Sequence, residues 1–315
     1  QVPMNDDLVE AVDPRDEYVA EAVKLASGDE AARADLRIVL TAMHGVGASM
    51  TARVLAEAGF ANVSLVAAQA EPDPDFPTVP FPNPEEAGAL DMAIEQARAE
   101  GADLIIAVDP DADRCALAVP DPGAEAGWSP LSGDQIGCLL GEFLAVRGLE
   151  GSLANSIVSS RLLARIAEAH GLVHHTTLTG FKWIARAPKL AFGYEEAIGF
   201  CPNPQIARDK DGIASSVVAA SLFAALKVEG RTAWDELDRL AHVHGLHVTG
   251  PLTFRVEEIE QIAAGMARLR AQPPSVLAGS PVVEVSDLSE GYRGLPPTDG
   301  VLVVTEAGDL SLIHI

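Results

Sequence analysis

Leu104-Ile-Ile-Ala-Val108 runs without a polar residue straight into Asp109-Pro-Asp-Ala-Asp-Arg114, and no other junction constrains the chain as much. A short, unbroken apolar run of this kind reads as a strand buried on both faces of a parallel sheet. Asp109, Asp111 and Asp113 alternate immediately after it, so one turn aims three carboxylates at a common point. Two like charges about 4 Å apart repel by about 4 kcal/mol at an effective dielectric of about 20. A bound cation is the simple remedy. Oxygen-only ligands favour a hard ion, Mg²⁺ before Zn²⁺, and Mg²⁺ keeps positions open for water and a phosphate oxygen. The loop reads as a metal site.

Three other readings compete with this one. Alternating Asp residues can form a merely solvated turn. An EF-hand loop also begins D-x-D-x-D, but it needs Gly at its sixth position and Glu at its twelfth. Arg114 and Pro120 stand there, which excludes it. A phosphatase of the haloacid-dehalogenase type also runs a strand into D-x-D. That family favours Thr or Val in place of Asp113 and puts the loop near the start of its domain, so it stays as the alternative.

The chain has 315 residues, enough for two or three domains with their own cores. Its net charge of −24 argues against nucleic acid and anionic membrane as partners. The same field repels a phosphorylated ligand, so a phosphate site needs local cations, and Arg114 is one. Cys115, Cys138 and Cys201 are few, widely spaced and odd in number, which suggests no disulfide framework and a reducing, cytoplasmic setting. No apolar run reaches transmembrane length. The chain starts at Gln1 and ends in Leu310-Ser-Leu-Ile-His-Ile315, which reads as a fragment.

Residues 1–35 read as a helical lead-in, with a helix from Asp16 to Ala26. Residues 36–130 read as an α/β domain carrying the metal loop. Its strands are Leu36 to Met43, Asn62 to Val66 and the run ending at Val108, and its helices are Met50 to Ala58 and Glu85 to Glu100. His44-Gly-Val-Gly-Ala-Ser49 turns from strand to helix. It serves either a tight turn or an anion at a helix N-terminus, and His44 either contacts a ligand or caps the turn. Trp128 to Ser132 reads as the hinge to a second α/β domain, residues 131–246. That domain has strands at Ile157-Val158, Leu172 to Thr176 and Leu190 to Gly193, with helices from Gly133, Ser160, Asp211-Gly212 and Thr232. The two units suggest a duplication. Residues 247–315 read as the incomplete start of a third, α+β domain. The expected fold class is α/β with mixed, mostly parallel sheets. His242, His244 and His247 are spaced H-x-H-x₂-H, but without a carboxylate or Cys at ligand spacing they read as a solvated helix end.

Four motifs in this order resemble the α-D-phosphohexomutase superfamily of phosphoglucomutases and phosphomannomutases. Thr41-Ala-Met-His-Gly-Val-Gly47 looks like its second-domain turn, and Asp109 to Arg114 is similar to its D-G-D-G-D-R magnesium loop. Thr179-Gly-Phe-Lys182 looks like its T-G-[WF]-K turn. Gly193-Tyr-Glu-Glu-Ala-Ile-Gly199 resembles its G-E-E-S sugar loop. The wording is closest to the phosphoglucomutase-2/phosphopentomutase branch. Pro110 and Ala112 replace the loop glycines, and Ala197 stands where many members carry a sugar-binding Ser. Nothing resembles T-A-S-H-N-P, whose serine carries the phosphate, or the phosphate-gripping R-P-S-G-T-E-P, so the chain looks like domains two and three plus a start of domain four.

The resemblance implies a Mg²⁺-dependent isomerase that moves phosphate between C1 and C6 of a hexose, or the equivalent pentose positions, through a phosphoserine and a bisphosphorylated sugar. It implies Asp109, Asp111 and Asp113 as metal ligands and Arg114 as a phosphate fork. It further implies Glu195 as acceptor for two sugar hydroxyls, and Lys182 as proton donor or phosphate contact. The alternative within this reading is a fragment that binds metal and sugar phosphate without turnover.

Overall fold

The computed structural model describes residues 11–252 and 256–314. Two helices open the described chain, α1 (Arg15–Val23) and α2 (Glu30–Asp35), the second capped by the Asp29 side chain on Ala31 N. The apolar run after them forms β1 (Arg37–Thr41), and α3 (Ala48–Glu57), β2 (Asn62–Leu65) and α4 (Asp91–Glu100) follow. β3 (Leu104–Val108) is buried at every residue, as its unbroken apolarity requires. β4 (Cys115–Pro120) and β5 (Trp128–Pro130) complete a five-stranded sheet in the order β2-β1-β3-β4-β5. β1, β2 and β3 run parallel, β4 runs antiparallel to β3, and β5 antiparallel to β4.

The second unit begins with α5 (Gly133–Val146), closed by a Ser132/Gln135 capping box. β6 (Ser152–Ser156), α6 (Leu162–Ala169), β7 (Val173–Thr177), α7 (Phe181–Ile184), β8 (Leu190–Glu195) and β9 (Gly199–Cys201) follow. The order is β7-β6-β8-β9, with three parallel strands and β9 antiparallel. α8 (Gly212–Val228) is apolar on nearly all faces because it is wedged between units. It packs on α1, α2, α3, β3 and β4, and also meets α5 and β9. Lys227 at its end pairs with Asp35 at 2.7 Å and Asp103 at 2.8 Å. α9 (Ala233–His244) and α10 (Glu260–Ala271) lead to the antiparallel β10 (Val276–Leu277), β11 (Ser280–Asp287), β12 (Gly300–Thr305) and β13 (Leu310–His314). One apolar core runs from Val19 to Leu240 through both α/β units. Among the described residues no single helix is long and apolar enough to cross a membrane.

Several expectations need correction. The helix expected from Glu85 starts only at Asp91, because Gly88 takes a left-handed φ of 82° and breaks it. The strand expected at Ile157-Val158 lies at Ser152–Ser156, where Leu153 is the one large apolar residue among four small or polar ones, all buried. Trp128 to Pro130 is not hinge but the edge strand of the first sheet. Nor does the histidine cluster form one solvated helix end, since the His244 side chain is 5% exposed, 3.8 Å from Glu142.

Candidate active site

The Asp loop leaves the carboxyl end of β3, where open α/β sheets gather ligands. Asp109, 2% exposed, has both oxygens engaged: Arg114 N donates to Oδ1 at 2.9 Å and Arg114 Nε to Oδ2 at 2.7 Å. The turn closes with Ala112 N on Asp109 O at 2.9 Å, and Ala112 sits at a φ of 61°. A left-handed conformation costs alanine about 1 kcal/mol, which the glycine usual in this loop would avoid. Asp111 is exposed and unpaired among the described residues. Asp113 accepts from Lys210 Nζ at 3.0 Å, with Arg114 Nε 4.0 Å away.

One oxygen from each of Asp109, Asp111 and Asp113 lies within 4.8 Å of the others, an all-oxygen set that fits a hard divalent cation. Three carboxylates against Arg114 and Lys210 leave one formal negative charge, so an added divalent ion turns the cluster positive and suited to an anion. Arg114 is held above its ordinary value. Burial pulls it down, but the hydrogen bond to Asp109 and the charges of Asp109, Asp113 and Glu85 outweigh that.

The glycine turn after β1 is the cradle of this loop. A Cβ on Gly45 would lie 2.5 Å from Pro110 O, and one on Gly47 would lie 2.5 Å from Ala112 Cβ. Val46 N donates to Pro110 O at 2.9 Å. These glycines let two backbones meet at close approach. His44 is 5% exposed and contacts Thr78 Oγ1 at 2.9 Å, tying down the proline-rich connection.

The second unit closes on the loop from the other side. Arg114 pairs with Gly199 in an antiparallel bridge, and Cys115 N donates to Ile198 O at 3.1 Å. Gly212 N donates to Ala112 O at 3.2 Å, and a Cβ on Gly212 would lie 2.7 Å from that oxygen. Glu195 ends β8 on this seam. Burial lifts its carboxyl above the usual glutamate range, Lys210 opposes, and Glu196, Asp113 and Asp209 add to the rise. Glu196 accepts from Ser156 Oγ at 2.9 Å and Ser159 Oγ at 2.8 Å.

The structure therefore brings Asp109, Asp111, Asp113, Arg114 and Glu195 to one seam. Lys182 is exposed on α7, after Gly180 at a φ of 101°, and its ammonium has no ion pair among the described residues. Sequence reasoning missed Lys210, which pairs with Asp113 and whose charge is felt by Glu195. Its ammonium also lies 6.0 Å from the Phe181 ring centroid. Burial would lower its pKa, but the hydrogen bond and charge of Asp113, then Glu195 and Asp209, raise it. Its only signal was position, in Arg208-Asp-Lys-Asp-Gly212 just before α8. Glu85 was also missed. Burial raises its pKa, Arg114 opposes and Glu196 adds, so it faces the same cluster.

Residues 16–123 match the family model described as phosphoglucomutase/phosphomannomutase, alpha/beta/alpha domain II, and residues 132–242 match that of domain III. A probable phosphomannomutase of Haemophilus influenzae is 43% identical over 91% of this chain and 57% of its own. A probable phosphoribomutase of Schizosaccharomyces pombe is 33% identical over 87% of this chain and 50% of its own. The crystal structure of a putative phosphomannomutase from Thermus thermophilus shares the fold, with a TM-score of 0.69 and 23% identity over 94% of this chain and 59% of that one. The chain spans about half the length of the curated relatives it matches. These matches leave no place for the haloacid-dehalogenase alternative. The chain belongs to the phosphoglucomutase/phosphomannomutase family of the α-D-phosphohexomutase superfamily.

Proposed function

We propose that this chain supplies the metal- and sugar-binding centre of a phosphosugar mutase, an isomerase that shifts phosphate between C1 and C6 of a hexose or C1 and C5 of a pentose. The observation that carries this reading is the seam itself, where the three-carboxylate loop is pinned to the Glu195 loop by the Arg114–Gly199 bridge and by Lys210. Asp109, Asp111 and Asp113 would hold Mg²⁺, which when bound neutralises charge developing on phosphoryl oxygens.

Arg114 commits Nε to Asp109 and keeps its two Nη groups for phosphate oxygens, a forked donor already oriented by the carboxylate. Glu195 accepts from neighbouring sugar hydroxyls, and a carboxylate with two acceptor oxygens serves the sugar in either orientation. Lys210 pairs with Asp113 and offsets the charge of both Asp113 and Glu195. Lys182, exposed on α7, would contact a phosphate or pass a proton. The donor would be a phosphoserine, for which this sequence holds no counterpart. Three free cysteines, all buried, support a reducing, cytoplasmic setting.

The test is an assay of this chain with glucose 1-phosphate, Mg²⁺ and a 1,6-bisphosphate activator. The reading expects binding of the sugar phosphate without turnover, and turnover when the phosphoserine-bearing domain is supplied. Robust turnover by the chain alone would overturn the phosphoserine assignment, and absence of binding would overturn the substrate class.

A further inference from the structure

Asp134 lies outside the seam, is 7% exposed, and gathers three donors from three separate elements. Its Oδ1 accepts from Ser160 N at 2.6 Å and Tyr194 Oη at 2.8 Å, and its Oδ2 from Thr249 Oγ1 at 2.6 Å. Each donor leads somewhere that matters. Tyr194 is wholly buried and directly precedes Glu195, its ring against Gly137, where a Cβ would lie 2.5 Å from the ring. Ser160 follows Ser159, whose hydroxyl holds Glu196. Thr249 belongs to the connection between α9 and α10. The α5 N-terminus that carries Asp134 also abuts the loop directly, since a Cβ on Gly133 would strike Glu196 O and lie 2.8 Å from Ile198 N.

We propose that Asp134 is a positioning residue for the sugar-binding loop: one buried carboxylate sets Glu195 through Tyr194, sets Glu196 through the Ser159-Ser160 turn, and ties both to the connection that leads to α10. It sits in the first turn of α5, where the helix dipole favours a negative group. The geometry also names its own conservative replacement. In Asp134→Asn the side-chain carbonyl oxygen can stay on Ser160 N and Tyr194 Oη while the amide turns toward the Thr249 hydroxyl, which can accept. Alanine leaves the buried Tyr194 hydroxyl without its acceptor.

This inference rests on the reading of Glu195 as the sugar contact, and the experiment separates the two. Hydrogen exchange of residues 194–199 and calorimetric affinity for glucose 1-phosphate with Mg²⁺ are measured in wild type, Asp134→Asn, Asp134→Ala and Tyr194→Phe. β12 serves as the internal reference for exchange. Asp134→Ala is expected to speed exchange in the loop and weaken sugar-phosphate affinity about tenfold or more, without speeding exchange in β12. Asp134→Asn restores both, and Tyr194→Phe, which keeps the core volume, falls between. If Asp134→Ala does not fold, Tyr194→Phe and Asp134→Asn decide the matter. Unchanged loop protection in Asp134→Ala, or in Tyr194→Phe should the alanine variant not fold, overturns the positioning role. If wild type binds no sugar phosphate, the proposed function fails while exchange still judges Asp134.

Discussion

The two α/β units share the order of four strands, a second strand outside the first, a third on the inner side and an antiparallel return after it, to which the first unit adds the edge strand β5. Each third strand ends in an acidic turn, β3 at Asp109 and β8 at Glu195, yet the two turns are held by different means. The Asp loop is braced by full charges, Arg114 on Asp109 and Lys210 on Asp113, and by two glycines that admit its backbone. The Glu loop is braced chiefly by neutral hydroxyls, from Ser156 and Ser159 on Glu196 and Tyr194 on Asp134. The density of acid decides the difference. Three carboxylates with oxygens within 4.8 Å of one another call for full charges, whereas Glu196 is held by the hydroxyls of Ser156 and Ser159. One turn is suited to a cation and its anion, the other to a neutral polyol.

The largest effect expected from this contrast is steric. Gly45→Ala places a methyl group against the Pro110 backbone, which cannot yield as a flexible side chain would. It should cost about 3 kcal/mol in denaturant unfolding and remove Mg²⁺ binding, because the Asp loop must lift off its cradle. A fully stable variant would mean the cradle is not what holds the loop.

Next comes charge. Lys210→Met frees Asp113 from a competing cation, so Mg²⁺ affinity should rise about fivefold while sugar-phosphate affinity falls. A loss of Mg²⁺ affinity on titration would show that Lys210 organises the carboxylates rather than competing for them.

The pH dependence sharpens the other side. Burial, with Glu196, Asp113 and Asp209, keeps Glu195 protonated to higher pH than an ordinary glutamate, against the pull of Lys210. The ionised form accepts with both oxygens and more strongly, whereas protonation turns one oxygen into a donor, so sugar-phosphate affinity should decline with falling pH at values above the usual glutamate pKa of about 4.3. Because the folded value is raised, the same ionisation costs stability as pH rises through the unfolded and then the folded value. Affinity that holds down to the ordinary value would separate Glu195 from the ligand. The smallest effect is Ser159→Ala, about 1 kcal/mol in unfolding and insensitive to added salt, since Ser156 still donates to Glu196. A salt-sensitive loss would make the Glu loop a charged device like its counterpart.

Much of this site was legible because its chemistry is local in sequence. Asp109 to Arg114 and Glu195 lie on continuous stretches at strand ends, and the buried run of β3 is read from five residues. What escaped is what only the fold assembles. Lys210 precedes a helix by two residues and meets Asp113 across the seam between units, with no spacing to announce it. Glu85 was placed inside a helix that the left-handed Gly88 cuts short. β6 was sought in Ile157-Val158 because β-branched residues mark strands, but the buried strand is Ser152–Ser156, which has no β-branched or aromatic residue and only Leu153 as a large apolar one. β4 went unread, since an antiparallel return directly after a loop carries no crossover pattern.

The central claim is that the three aspartates at the tip of β3 form one cation site. Calorimetric titration of Mg²⁺ into the wild-type chain and into Asp111→Ala tests it most directly, because Asp111 is exposed and makes no ion pair among the described residues. The account predicts a saturable one-to-one signal in wild type that disappears in the variant, with unchanged thermal unfolding of the metal-free proteins. Equal Mg²⁺ binding by the two, or none by wild type, would contradict it.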